Sequence, residues 1–155
     1  MQVLEETQGF PNTEELAKSI RKRYPKPIRL DCYPDPTGNS RKTNAPIGQT
    51  DFTILKDYGI NVIARSKSPP LADSVQAVNS KMMTAAGDVG FFIHPKCSNT
   101  IKSLERSQWV DKNPDTLTID KTEGIEHWSD AVRYPIEYLW PVRGSNKRVA
   151  RGFGF

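Results

Sequence analysis

At 155 residues and 17.5 kDa the chain has the length of one ordinary domain, and 36% hydrophobic residues with a mean hydropathy of −0.61 supply one core beneath a polar surface. No apolar run reaches the roughly 18 to 20 residues of a membrane span, and the N-terminus lacks the basic-then-apolar pattern of a secretory signal, so an intracellular protein without a membrane partner is expected. Net charge +4 and a pI of about 9.1 favour polyanionic partners, while Cys32 and Cys97 are too few for a disulfide framework and show no metal-ligand spacing. Both cysteines are expected reduced and partly buried.

In chain order, Val3-Leu4 reads as the end of a strand. Asn12 and Glu15 then form a capping-box pair that opens a helix with the apolar stripe Leu16, Ile20 and Tyr24, and Pro25 and Pro27 end it. Residues 28–33, IRLDCY, predict a second strand, and the Pro/Gly/Asn/Ser-rich run 34–50 predicts a loop. Thr50 caps a short helix, DFTILKDY, that Gly59 stops, and INVIA is a third strand. Ser68 with Pro69 and Pro70 starts the next helix, whose apolar positions are Leu71, Val75, Val78 and Met82. GFFIH gives a fourth strand, residues 98–109 another helix, TLTID a short edge strand or hairpin arm, and about 125–139 the last helix. This alternation predicts an α/β layered sheet with at least some parallel strands.

Ligands of such sheets bind where strands end at their carboxyl edge, and Asp35 falls there, between two prolines that stiffen the backbone on either side. Pro-Asp-Pro-x-Gly is also ordinary turn chemistry, with Gly38 allowing a sharp turn. The following GNSRKT resembles the end of a phosphate-binding loop, but Arg41 stands where its second glycine is required, which excludes that motif. In residues 123–140, Ile125, Trp128, Val132, Ile136 and Leu139 form one apolar stripe. Asp130 lies nearly opposite, beside His127, Arg133, Tyr134 and Glu137. Periodicity alone therefore turns Asp130 to solvent, but Pro135 removes a helical hydrogen bond and crowds the Ala131 carbonyl. A kink there would let Asp130 lean toward the sheet.

The blocks VLEE, GFPNTEELAKSIRKRYP, YPDPTGNSRKT with GQTDFTILKDYGINV, DSVQAVNSKM, FFIHPKC and EHWSDAVRYPIEYLWPV, in this order, resemble the C-terminal nuclease domain of the terminase large subunit. That subunit is the DNA-packaging motor of tailed phages, and the likeness is to its T7-like group. The resemblance implies an RNase H-like mixed sheet flanked by helices over residues 1–140, followed by a basic flexible tail, 141–155. It implies an endonuclease that cleaves double-stranded DNA concatemers by two-metal phosphodiester hydrolysis with Mg²⁺ or Mn²⁺, in the host cytoplasm. The partners it implies are the portal of the procapsid through the tail, the small terminase subunit and an ATPase domain, for which this chain has no Walker A sequence.

By the same resemblance Asp35 and Asp130 are catalytic and metal-binding, and Glu6 falls where the family often has an acid at a strand end, with Glu5 an equal alternative. Two metals about 3.5 to 4 Å apart generate the hydroxide and stabilise the leaving oxygen, and such ions prefer carboxylate oxygens and water. Arg41 and Lys42 are placed to hold backbone phosphates. His127 either orients Asp130, contacts DNA or is a surface histidine. Asp51, just after Thr50, is accounted for by the helix dipole. The family's first metal-binding aspartate lies on a strand upstream of the block matched by MQVLEE. The sheet is therefore expected to lack one or two strands, leaving an open edge, and the chain to cut DNA poorly or to bind without turnover. An inactive DNA- or portal-binding module is the alternative.

Overall fold

The computed structural model describes residues 1–41, 48–108, 118–119, 124 and 126–142. Its elements in chain order are β1 (Gln2–Val3), α1 (Thr13–Arg23), β2 (Asp31–Cys32), a 3-10 turn (Pro36–Asn39), α2 (Asp51–Asp57), β3 (Asn61–Val62), α3 (Leu71–Met82), β4 (Phe92–Ile93), α4 (Ser98–Arg106) and α5 (Glu126–Leu139). The molecule is mixed α/β, with parallel strand pairing as the alternation of elements predicted. Among the described residues the strands form two separate parallel pairs, β1 with β4 and β2 with β3, instead of one continuous sheet. Each ladder spans two residues per strand, so the regular pairing is shorter than the apolar runs that suggested it.

Local chemistry sets most helix ends. The Asn12 side chain accepts from Glu15 N–H at 2.9 Å, and α1 then carries acids in its first turn and bases in its last, both favourable to its dipole. Thr50 and Thr53 cap α2 reciprocally, each side chain accepting from the other's N–H, and Gly59 leaves the helix at φ 71°, a left-handed conformation that glycine adopts without strain. At α3 the expected start is corrected: the helix begins at Leu71, Pro70 occupies the cap position, and no side chain caps the N-terminus. Ser74, one turn in, donates instead to the Leu71 carbonyl at 2.8 Å. No helix among the described residues is long and apolar enough to cross a membrane.

The two strand pairs anchor two cores. In one half, Ala77, Val78, Phe91, Val132 and Ile136 are buried among α3, β4 and α5, with Met1, Val3, Met82, Ile93 and Leu104 packed around them. In the other, α1, α2, β2 and β3 enclose a cluster of Ala17, Leu55 and Ile60, with Ile20, Leu30, Cys32, Tyr58 and Val62 packed around it and Phe52 buried nearby on α2. Arg21 binds this second half together by donating to the carbonyls of Tyr58 at 2.8 Å, Ile28 at 2.9 Å and Gly59. It thereby satisfies carbonyls at the end of α2 and before β2.

The seam between the halves is polar. Arg65, just past β3, donates from Nε at 2.7 Å and from Nη2 at 2.9 Å to the two carboxylate oxygens of Glu137 on α5. The Tyr138 ring lies 5.3 Å beneath the guanidinium and 5.5 Å from the Tyr33 ring, centre to centre. The two-pronged contact fixes both side chains in a way that a single-point ion pair would not.

Candidate functional site

Asp35 directly follows β2, and its backbone leads into the 3-10 turn with Pro36 at the first position. One carboxylate oxygen accepts from Thr37 N–H at 2.8 Å, which is the turn chemistry legible in the sequence. The other accepts from the Tyr134 hydroxyl at 2.7 Å, a contact between residues 99 positions apart. This bond seats the turn on the face of α5 that carries Asp130. Partial burial raises the Asp35 pKa, but the bonds from Thr37 and Tyr134 and the nearby Arg133 charge outweigh it, so the carboxyl lies below its ordinary value. For Tyr134, burial and the Asp35 carboxylate act in the same direction and push the phenol up to about 12. Tyr134 is therefore a hydrogen-bond donor to Asp35 at neutral pH, and the aspartate is held as an anion.

Gly38 serves the turn through space. Its φ is not positive; a Cβ built on it would stand 3.0 Å from Cε1 of Phe52, so the turn lies against that ring because no side chain intervenes.

Asp130 is half-buried. Its Oδ1 accepts from Arg133 Nη2 at 2.6 Å and Nε at 3.2 Å. Arg133, 8% exposed, also donates from Nη1 to the Ser74 hydroxyl on α3 at 2.7 Å, and its guanidinium lies 5.2 Å from the Tyr134 ring centre. Val132 and Ile136 of the expected stripe are buried, but so are Glu126, Ser129, Arg133 and Glu137. The polar side of α5 thus also faces protein, because the helix is wedged between α3 and α4 on one flank and the seam on the other. Asp130 is intermediate in exposure and bonded to its own helix through Arg133, and the helix runs through Pro135 without a break.

Glu6 reaches a different place. Its Oε1 accepts from Asn99 N–H at 2.9 Å, and its Oε2 from Thr100 N–H and Thr100 hydroxyl, both at 2.8 Å. The carboxylate caps α4, whose own cap residue, Cys97, supplies no side-chain bond. Burial alone would raise the Glu6 pKa, but these donors together lower it. Glu5 pairs with Arg23 and, at 3.9 Å, with Lys96. Both glutamates nevertheless border one cleft with Asp31, Asp35 and Asp51, about 650 Å³ in volume and floored by Leu16, Ile20, Leu30 and Leu55.

His127 is exposed, with Nε2 3.8 Å from Glu126; Arg133, not His127, orients Asp130. Asp51 accepts from the Thr13 hydroxyl at 2.6 Å, a tertiary bond beyond its place at the start of α2. Arg41 is exposed at the end of the Asp35 loop, and Lys42 and residues 143–155 of the tail lie outside the described residues. Most of TLTID does as well. Cys32 and Cys97 are free thiols, half-buried and buried, with burial raising both pKa values.

As a metal site the arrangement is sparse. Among the described residues no group of three or more His, Cys, Asp and Glu side chains lies close enough together to hold an ion. Two carboxylates with water suit one hydrated Mg²⁺ or Mn²⁺, whereas a two-metal centre needs more oxygens than Asp35 and Asp130 provide while Glu6 caps α4. The sequence named Asp35 and Asp130 as candidates but gave no notice of Tyr134 as a link or of Ser74 as the anchor of Arg133. The one local signal was the spacing of Tyr134, one helical turn beyond Asp130. Comparison with known protein families, curated proteins and solved structures finds no match to this chain.

Proposed function

We propose that the chain is the nuclease portion of a phage DNA-packaging terminase, acting on double-stranded DNA with a divalent cation at Asp35 and Asp130. The observation that carries this reading is the Tyr134–Asp35 hydrogen bond, which brings the acid at the end of β2 onto the helix face that holds Asp130. A bound cation would supply Lewis-acid charge for the scissile phosphate and a more acidic water. The chain's own contribution is orientation: Thr37 and Tyr134 fix the Asp35 carboxylate, and Arg133, anchored on Ser74, fixes that of Asp130.

One observation favours a second reading, an inactive DNA- or portal-binding module of the same origin. In this structure Glu6 is committed to α4 and Asp130 to Arg133, so both oxygens of Glu6 and one of Asp130 already have partners.

Plasmid cleavage in Mn²⁺ separates the two. The first reading expects weak nicking or linearisation that Asp35→Asn and Asp130→Asn each abolish and His127→Ala spares. DNA binding without cleavage by any variant supports the second. Strong cleavage that survives Asp35→Asn overturns the site assignment altogether.

A further inference from the structure

The Pro36–Asn39 turn has two sides of opposite charge. On the Asp35 side, the cleft is bordered by Glu5, Glu6, Asp31, Asp35 and Asp51, against the single cation Arg23. On the other side, Pro36 and Asn39 form one wall of a second groove of about 710 Å³, completed by α2 and the segment after β3. Its charged lining is Lys56, Arg65 and Lys67, with no acid among its lining residues. Glu137 neutralises Arg65 through two hydrogen bonds, so the net charge of the groove comes from the lysines. Lys56 and Lys67 are exposed and make no ion pair among the described residues.

We propose that this groove is a nucleic-acid backbone site in which Lys56 and Lys67 receive phosphates of the strand whose neighbouring phosphate lies at the Asp35 turn. The proposal deepens the nuclease reading and rests on it. Three features fit a polyanion track better than a pocket for one small anion. The groove is wide and open, its two free charges sit on separate walls, and each is a flexible point charge able to follow a backbone without reading bases. Arg65 and Tyr138, whose guanidinium and ring lie 5.3 Å apart, line the same groove, and Glu137 fixes Arg65 there through two hydrogen bonds. The opposite charge beyond the turn adds direction, because the acidic cleft repels phosphates and leaves the basic side, walled by Pro36 and Asn39 next to Asp35, as the favoured path for the backbone.

The test is fluorescence anisotropy of a short labelled DNA duplex in EDTA over a salt series, so that binding is read without cleavage. Lys56→Ala/Lys67→Ala is compared with the wild type and with Lys22→Ala/Lys102→Ala, which removes the same charge from exposed positions on α1 and α4. The groove variant should bind roughly tenfold more weakly at low salt, and the slope of log affinity against log salt should fall in magnitude by about 1.8, since each neutralised phosphate contributes about 0.9. The control pair should change neither. Equal losses in the two double variants would reduce the effect to net charge and overturn the groove, as would an unchanged slope, or lysine-dependent binding of a polyglutamate peptide with none of DNA. Asp35→Asn serves as the independent arm. If it binds normally but cleavage in Mn²⁺ persists, the active-site reading fails while the groove stands.

Discussion

The half built on α3, α4, α5, β1 and β4 and the half built on α1, α2, β2 and β3 reach order by different means. The first buries five apolar side chains in one cluster, with Ile136 fully enclosed. The second has a cluster of three, Ala17, Leu55 and Ile60, with Phe52 buried beside the Asp35 turn, and Arg21 gathers backbone carbonyls there. The candidate site belongs to neither half. Asp35 comes from the thinly cored side, Asp130 from the well-cored side, and polar bonds across the seam hold them in register. A site assembled in this way depends on its seam as well as on the two cores.

That contrast can be broken most forcefully through the cores themselves. Ile136→Ala should lower the unfolding free energy by about 2 to 5 kcal/mol, with Leu55→Ala toward the lower end because its neighbours border an open cleft and can relax. Urea unfolding followed by circular dichroism measures both, and a larger loss for Leu55→Ala would reverse the ranking of the halves. At the seam, Glu137→Ala leaves Arg65 without its carboxylate and should cost about 2 to 3 kcal/mol. This is less than for a fully buried pair, since 26% of the Arg65 side chain is exposed. Replacing both residues, Arg65→Met with Glu137→Leu, should recover much of that loss, and a double-mutant cycle would show it.

The smallest effect concerns Glu6. Glu6→Gln should destabilise by about 1 kcal/mol at neutral pH through the α4 cap. Because the folded-state pKa is lowered from 4.5, the carboxylate's contribution is complete above that value and disappears as pH falls through the folded value. The gap in melting temperature between wild type and variant should therefore stay constant from about pH 7 to pH 5 and close below it. A gap independent of pH would show that the cap does not depend on the charge.

Elements whose cause is local were legible in advance. The Asn12 cap, the Thr50 start, the Gly59 stop and the Asp35 turn each depend on residues within four positions, and each lies where the sequence placed it. Pro69-Pro70 misled by one step because a proline beside a helix start fits the cap position as well as the first turn. Glu6 was placed by its strand-end position, and nothing nearby in the chain revealed that the first N–H groups of a helix 93 residues away would take both its oxygens.

The sequence by itself determined the order of helices and strands, the parallel character of the pairing, and the two aspartates singled out for the site. The elements follow from propensity, capping and periodicity, which act over a turn or two of chain, whereas the two aspartates were singled out by the ordered blocks that carry the family resemblance. Only the tertiary structure decided that the strands among the described residues pair as two separate ladders, that Glu126, Ser129, Arg133 and Glu137 of α5 turn inward, that Arg133 rather than His127 holds Asp130, and that Tyr134 links Asp35 to that helix. The physical reason is that a hydrogen bond or ion pair between distant residues has no periodic trace. It forms where packing brings donor and acceptor within about 3 Å, and that proximity is a property of the whole fold.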